Sequence, residues 1–239
     1  MNLCDLHTHV LPGVDDGAPD LDYALQMLRN AAVSDVSLLA VTPHCNGPCG
    51  ANYLDAELKA RFDRLRRAAA DIPVELVLGA EVWVDENLPG LLEAGKIPTI
   101  NGSRYLLTEF PWNTPGSGFA PMLGQILSLG YVPLVAHPER YAAVCRNPAM
   151  VGQWLDMGCH LQLTGGSILG QFGKTAQRTA AFFLKNDLVA CVASDAHGVH
   201  GRSNFLMDVY DHLAVQYSPV YARILMTDIP LRICRNDEL

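Results

Sequence analysis

The chain has 239 residues, of which 49% are hydrophobic and 18% are charged, and its formal net charge is -8. This length and apolar content suffice for one large core near the size of an α/β barrel, so we expect a single domain over residues 1–239. The acidic balance, with no run of lysines or arginines, argues against a nucleic-acid-binding surface.

Short apolar runs alternate along the chain with stretches of helical spacing. The apolar runs predict about seven strands: Leu3–His9, Val36–Val41, Val74–Ala80, Tyr105–Phe110, Val132–Ala136, Leu161–Thr164 and Leu188–Ala193. The intervening periodicity predicts helices at Leu21–Ala32, Asp55–Ala70, Phe119–Leu129, Pro148–Asp156 and Thr175–Leu184. Asp20 and Asp55 stand at N-cap positions, and Gly130 and Gly158 stand where a helix would end. This alternation is typical of a parallel sheet, and about seven units predict a TIM-like α/β barrel.

Residues able to bind a metal follow six of the seven predicted strands. In chain order they are His7 and His9, His44, Glu81, Glu109, His137, and the pair Asp195 and His197. Because barrel active sites are built at the carboxyl ends of the strands, we expect these side chains to meet at one mouth. The loops Cys45–Asn52 and Trp112–Gly118, rich in Gly, Pro and Asn, should overhang that mouth.

Asp16, which we favour over its neighbour Asp15, brings the set to five histidines and four carboxylates. Nine ligands exceed what one ion needs, so we predict two or three ions that share a bridging carboxylate. A shell without thiolate suits Mn, Fe or Zn, and the sequence does not choose among them. Such a site activates water for hydrolysis of a phosphoester.

Three further side chains are candidates for the chemistry. Arg140 and Arg202 lie close after ligands and could hold phosphate oxygens, or each could form a salt bridge with a neighbouring acid. Asp16 could also act as a general acid or base. Asp5 either fixes the tautomer of a ligand histidine or is a polar residue of the barrel floor.

These residues stand in motifs that resemble a known family. The motifs are Asp5-x-His7-x-His9, the run from Leu11 to Gly17, Thr42-Pro43-His44, Gly79-Ala80-Glu81, Glu109-Phe110, the run from Ala136 to Tyr141, and Ser194-Asp195-Ala196-His197. In order and spacing they resemble the metal-dependent bacterial protein-tyrosine phosphatases of the polymerase-and-histidinol-phosphatase (PHP) superfamily that serve capsule and exopolysaccharide operons.

The resemblance implies a distorted barrel with a three-ion site, usually credited with manganese. His7, His9, Glu81 and Asp195 would hold one ion, and Glu81 would bridge to a second ion held by Glu109 and His137. Asp16, His44 and His197 would hold the third, and Arg140 and Arg202 would bind the phosphate of phosphotyrosine. A metal-bridging hydroxide would be the nucleophile. The substrate would be the tail of a membrane-associated autophosphorylating tyrosine kinase.

Two segments depart from the family pattern. Cys45 and Asn46 follow His44 where some members carry basic residues, and Asp228-Ile229-Pro230 replaces an expected Asn-Pro. A cysteine-dependent tyrosine phosphatase needs Arg six positions after its cysteine, and none of the seven cysteines has one. The sequence therefore favours water over a thiolate as the nucleophile.

Two other functions stay open. A small-molecule phosphatase of the same superfamily, such as one acting on histidinol phosphate, is the nearest alternative, and a non-catalytic metal-dependent binding subunit is the second. No signal peptide and no apolar run long enough to span a bilayer stand in the sequence, so we expect a cytoplasmic protein without membrane insertion.

Overall fold

The computed structural model describes residues 1–239, and parallel strands alternate with helices along the chain. The strands are β1 (Leu3–Thr8), β2 (Val36–Val41), β3 (His44–Cys45), β4 (Glu75–Leu78), β5 (Glu81–Trp83), β6 (Tyr105–Glu109), β7 (Val132–Ala136), β8 (His160–Thr164) and β9 (Cys191–Ala193). The α-helices are α1 (Leu21–Val33), α2 (Ala56–Ala68), α3 (Leu88–Glu93), α4 (Gly116–Ser128), α5 (Ala142–Arg146), α6 (Val151–Asp156), α7 (Gly165–Ile168), α8 (Gly173–Lys185), α9 (Met207–Gln216), α10 (Pro219–Arg223) and α11 (Ile229–Cys234). Single 3₁₀ turns occupy Ile100–Gly102, Pro138–Arg140 and Pro148–Met150, and a π-helical segment spans Ile224–Asp228.

The strands form two parallel sheets that continue into each other. One has the order β1-β2-β4 and the other has the order β3-β5-β6-β7-β8-β9. Pro43, which has no N–H to donate, separates β2 from β3, and Gly79 and Ala80 separate β4 from β5. Pairing persists across both interruptions, because Gly79 N–H donates to Val41 O at 2.9 Å and Glu81 N–H donates to Pro43 O at 3.1 Å. Seven of the nine observed strands therefore correspond to the seven predicted ones, and the short strands β3 and β5, which continue the lines of β2 and β4, were not predicted.

The chain after β9 pairs with β1 through a few isolated backbone hydrogen bonds rather than through a regular ladder. Thr8 and Ala196 form a parallel bridge. The Asp195 N–H donates to His7 O, and the His9 N–H donates to Ala196 O, each at 2.9 Å. The predicted α/β barrel of parallel strands is confirmed, and its closure is distorted at the point where the first and last predicted ligand motifs meet.

Most predicted helices are present with their predicted ends. The Asp20 and Asp55 carboxylates cap α1 and α2 by accepting from the Tyr23 and Leu58 amides. Gly130 follows α4 with φ at +85°, a conformation that favours glycine. Four boundaries differ by two residues or more. The helix α4 begins at Gly116, three residues before the predicted Phe119, and the Pro148–Asp156 segment starts as a 3₁₀ turn. The helix α2 ends two residues early, at Ala68, and α8 begins two residues early, at Gly173. The short helices α3, α5 and α7 and the helices between Met207 and Cys234 had no prediction.

Two apolar clusters pack the barrel. The larger holds 52 buried residues, mostly between the strands and the surrounding helices, and the smaller holds 14 buried residues of the barrel interior. The chain's C-terminal segment covers the bottom: Asn101 Nδ2 donates to Cys234 O at 3.1 Å, and the Tyr105 hydroxyl donates to Asp237 O at 2.6 Å. The opposite end, where the strands finish, is left for the functional site.

All seven cysteines are free, and five of them are buried. None of the helices has the length and apolar content needed to cross a bilayer.

Candidate functional site

The nine predicted metal ligands lie together at the carboxyl ends of the strands. Their donor atoms form four overlapping groups, and within each group the atoms lie within 4.8 Å of one another. The groups are His9, Asp16, His44 and His197; His7, His9 and Asp195; His7, Glu81 and His137; and His44, Glu81 and Glu109. Every predicted ligand belongs to at least one group.

The first and last motifs meet directly. His7 Nε2 and His9 Nε2 are 3.2 Å apart, so the two rings of β1 and its following loop point at the same place. Asp195 Oδ1 lies 3.5 Å from His7 Nε2 and 3.7 Å from His9 Nε2. Two rings and a carboxylate from opposite ends of the chain therefore converge.

Glu81 lies at the centre of the cluster. Its Oε2 is 3.2 Å from a ring nitrogen of each of His7, His9 and His44. Its Oε1 is 2.8 Å from His137 Nε2. A carboxylate whose two oxygens face different sets of imidazoles has the arrangement that a bridging ligand between two ions requires.

The group of His9, Asp16, His44 and His197, called the outer group below, lies nearest to solvent. Asp16 Oδ1 is 3.4 Å from His44 Nε2 and 3.4 Å from His197 Nε2. The Asp16 side chain is 56% exposed, whereas those of His44 and His197 are 11% and 10% exposed. Asp16 is thus the donor that solvent and an incoming substrate reach most easily.

A second layer of side chains orients the histidines, and sequence reasoning missed part of it. The His7 Nδ1 atom lies 2.9 Å from Gln162 Oε1, and the His9 Nδ1 atom lies 2.9 Å from Asp15 Oδ2. An acceptor on Nδ1 fixes the proton there and leaves Nε2 free to bind a metal. Gln162 stands between Leu161 and Leu163 in β8, and a long polar side chain inside a barrel strand was the one signal that could have found it.

Asp5 has a different role from the first of its two predicted alternatives. It is fully buried, and its Oδ1 accepts from the backbone N–H of Ser194 at 2.9 Å and from that of His7 at 3.4 Å. Asp5 therefore ties β1 to the segment after β9 rather than fixing an imidazole tautomer.

Two of the predicted ligands adopt left-handed backbone conformations. His137 has φ at +36° and Asp195 has φ at +53°. Such values are uncommon outside glycine and concentrate at functional sites, because the surrounding structure must hold them there. In both residues the conformation ends a strand and turns the chain sharply at the barrel mouth.

The two predicted phosphate-binding arginines both reach Asp195. Arg140 Nη1 lies 2.7 Å from Asp195 Oδ2, and Arg202 Nη2 lies 2.7 Å from Asp195 Oδ1. Each is therefore in a salt bridge, with a member of the ligand cluster rather than with an acid at a helix start. Each guanidinium has five N–H donors, so most of them stay available for another anion.

Aromatic side chains hold Arg140 in place. Its guanidinium carbon lies 4.8 Å from the centre of the Trp112 ring and 4.3 Å from that of Phe172. Trp112 also stacks on His137, with ring centres 5.3 Å apart. The loop Trp112–Gly118 thus contributes to the mouth, as predicted, although the sequence did not indicate which of its residues would do so.

Burial and neighbouring charges shift the pKa values of the clustered histidines and carboxylates in different directions. Burial lowers the pKa of His137 to about 4, and burial together with the charge of His9 lowers that of His197 to about 3. Burial also favours the neutral form of Glu81, but the charge of His7 and hydrogen bonds from three histidines hold its pKa well below the usual range. His137 and His197 are thus neutral imidazoles, the form that binds a metal. Against the effect of burial, hydrogen bonds with Asp15 and Glu81 raise the pKa of His9 to about 10, and the charges of Glu81 and Asp195 raise that of His7. A bound cation would take the place of the protons on these two rings.

The donor set fits divalent transition metals. It combines imidazoles with carboxylates, it includes no thiolate, and its four groups share Glu81, His7, His9 and His44 as common members. Shared donors in overlapping groups suit more than one ion, and the N/O composition favours Mn, Fe or Zn over a structural zinc site. The outer group agrees with the third-ion set that the resemblance implies, with His9 added.

Known proteins resemble this chain over nearly its full length. The sequence profile of the family described as "Capsular polysaccharide synthesis, CpsB/CapC" matches residues 3–235. Tyrosine-protein phosphatase CpsB of Streptococcus pneumoniae is 31% identical over 238 residues, which cover 97% of this chain and 98% of CpsB. Tyrosine-protein phosphatase YwqE of Bacillus subtilis strain 168 is 28% identical over 239 residues, which cover 99% of this chain and 91% of YwqE.

A solved structure has the same fold. It belongs to a study of YwqE from Bacillus subtilis and CpsB from Streptococcus pneumoniae, described as unique metal-dependent tyrosine phosphatases. The TM-score is 0.90 at 28% sequence identity, and the match covers 98% of this chain and 95% of the other.

Proposed function

Because the chain belongs to the CpsB/CapC family of capsular polysaccharide synthesis proteins, we propose that it is a metal-dependent protein-tyrosine phosphatase, a phosphoric monoester hydrolase that acts on phosphotyrosine in proteins. The observation that carries the proposal is the convergence of nine imidazole and carboxylate donors around Glu81, with two arginines beside them. Relatives that match over nearly the whole chain are named tyrosine-protein phosphatases.

The metal ligands in this proposal are His7, His9, Asp16, His44, Glu81, Glu109, His137, Asp195 and His197. They would hold two or three ions, with manganese as our first expectation and iron or zinc as alternatives. When bound, the ions would act as Lewis acids and would supply an activated water as the nucleophile.

The chain's own residues then bind the substrate and move the proton. Arg140 and Arg202 are assigned to the phosphate, since both guanidiniums lie at the donor cluster with N–H groups to spare. Charge growing on the phosphate oxygens during displacement would be stabilised by these fixed cations. Asp16 is assigned as general acid or base because it is the exposed carboxylate of the cluster. Because phenolate is a good leaving group, the proton transfer by Asp16 need contribute only modestly to the rate.

We further propose that the physiological substrate is a membrane-associated, autophosphorylating tyrosine kinase that controls capsule or exopolysaccharide synthesis, and that the encounter takes place in the cytoplasm. The family's link to capsular polysaccharide synthesis supports the first part, and the seven free cysteines fit a reducing compartment. The half-exposed Trp112 beside Arg140 supports a mouth open to a protein segment. Residues 1–239 would act as one domain, because the C-terminal segment covers the bottom of the barrel.

The direct test is hydrolysis of phosphotyrosine peptides by the purified protein supplied with manganese, beside its His9→Ala variant. We expect turnover by the wild type and a loss of at least about a hundredfold in the variant, because His9 borders two of the donor groups. Turnover of histidinol phosphate in place of the peptides would support the small-molecule alternative. Absence of peptide hydrolysis, with the variant no worse, would exclude the proposed function.

A further inference from the structure

A cavity of about 540 Å³ opens beside the proposed phosphate site and is not needed to bind a phosphate. Arg140 forms part of its wall and also contacts Asp195, so the cavity lies directly beside the cluster of predicted metal ligands. Its volume lies within the range of about 300–1,000 Å³ that is usual for ligand pockets. A substrate whose phosphate lay between the two arginines would pass this opening.

The walls of the cavity are largely apolar. Trp112 and Phe172 flank Arg140 on its two faces, and Ala142 and Ala176 add small apolar surfaces. Trp112 is 44% exposed. Aliphatic or aromatic portions of a side chain could therefore pack against these surfaces.

Arg146 gives the cavity an unpaired positive charge. It is the last residue of α5, it is exposed, and it forms no salt bridge or side-chain hydrogen bond. Arg140, by contrast, is paired with Asp195. One acidic residue, Glu139, also borders the cavity, but none of its surface is exposed and its Oε1 accepts from the Thr164 N–H at 3.1 Å. In a chain of net charge -8, this opening presents a cation.

We propose that this cavity binds an acidic side chain of the protein substrate, close in sequence to the phosphotyrosine, and that Arg146 pairs with its carboxylate. The proposal rests on the function proposed above and adds to it a substrate preference. In an extended peptide neighbouring residues are about 3.3 Å apart along the chain, so a side chain one or two positions from the phosphotyrosine can reach a cavity that borders Arg140. Charge complementarity then selects a carboxylate over an ammonium group.

The test uses short phosphotyrosine peptides that carry one glutamate, alanine or lysine at the first or second position on either side of the phosphotyrosine. The value of kcat/KM is measured at low salt for the metal-loaded wild type and for the variants Arg146→Ala and Arg146→Glu. Arg67→Ala is the matched control, because it removes the same charge from an exposed position on α2 that makes no salt bridge and does not border the cavity. Phenyl phosphate, which has no flanking residues, reports the basal reaction.

At one or more positions we expect the wild type to favour glutamate over alanine by about threefold, the range typical of a partly exposed ion pair. Arg146→Ala should abolish the preference, Arg146→Glu should reverse it in favour of lysine, and Arg67→Ala should retain it. All four proteins should hydrolyse phenyl phosphate at the same rate.

Equal rates with the glutamate, alanine and lysine peptides would overturn the cavity proposal and leave the proposed function standing. The cavity proposal would also be overturned if Arg146→Ala kept the preference for glutamate, or if Arg67→Ala removed that preference equally. It would likewise be overturned if Arg146→Ala slowed the hydrolysis of phenyl phosphate as much as that of the peptides. Failure of the wild type to hydrolyse any phosphotyrosine peptide would overturn both.

Discussion

Asp15 offers the sharpest test of how the site is held together, because it touches three neighbours and yet is not itself assigned as a ligand. Its Oδ2 accepts from His9 Nδ1 at 2.9 Å and from the His44 N–H at 3.0 Å, and its Oδ1 accepts from the Gly17 N–H at 3.0 Å. The Asp15 side chain has no exposed surface. Asp15→Ala removes both oxygens and with them all three hydrogen bonds, whereas Asp15→Asn retains one oxygen, which can stay with His9 and His44.

The expected loss follows from these contacts. Removing the group that orients a metal-binding histidine costs about 10- to 100-fold in metal affinity, which is about 1.4 to 2.7 kcal/mol of binding free energy. We expect Asp15→Ala to fall in this range and Asp15→Asn to lose less than about tenfold. Asp15→Ala should also lower the free energy of unfolding by about 1 to 3 kcal/mol for each buried N–H left without a partner.

The assay is calorimetric titration of chelator-treated protein with Mn²⁺, beside thermal unfolding of the same samples. Asp20→Ala is the control, because Asp20 is an acid of the same segment that only caps α1. Loss of the Asp20 cap should lower the free energy of unfolding by about 1 kcal/mol and leave the metal affinity unchanged. Wild-type affinity in Asp15→Ala, or equal weakening in Asp20→Ala, would refute the orienting role of Asp15.

Three further predictions concern the same mouth. Gly17→Ala would bring a Cβ to 2.0 Å from the His9 carbonyl oxygen, so it should displace His9 and reduce the metal content measured by elemental analysis; full retention of metal would contradict this. Trp112→Ala removes one aromatic face from Arg140 and should raise KM for phosphotyrosine peptides by about two- to fivefold with kcat little changed. Trp112→Phe keeps an aromatic ring at this position, so its KM should stay close to that of the wild type. An unchanged KM in Trp112→Ala would count against the contact. A chelator should abolish peptide hydrolysis and lower the melting temperature, and added Mn²⁺ should reverse both; unchanged activity after complete removal of metal would exclude a metal-dependent reaction.

Much of the fold could be predicted because the barrel repeats a simple pattern. Each predicted strand is an apolar run, and burial on both faces requires such runs in a parallel barrel. The interruptions at Pro43 and at Gly79 were not predicted, since the hydrogen bonds that carry the pairing across them depend on neighbouring strands. The helices from Met207 onward were missed because their apolar residues pack on partners distant in sequence: α9 packs against α7, and α11 packs against β1.

The candidate site was predictable where chemistry and position coincide. The predicted ligands stand at or just beyond the carboxyl ends of apolar runs, so a barrel brings them together whatever the details of its loops. What surrounds them depends on the folded backbone: the left-handed turns at His137 and Asp195, the acceptor that Gln162 places beside His7, and the stacking of Trp112 on His137. Residues distant in sequence make these contacts, and the local pattern carries no record of their partners.

Whether the nine side chains hold a cluster of metal ions can be seen by anomalous diffraction from crystals of this protein grown with Mn²⁺. We expect two or three anomalous peaks per chain within the nine-residue cluster, with donors from both ends of the chain, such as His7 and Asp195, around the same peak. Peaks located elsewhere, or the absence of any peak among these side chains, would contradict it.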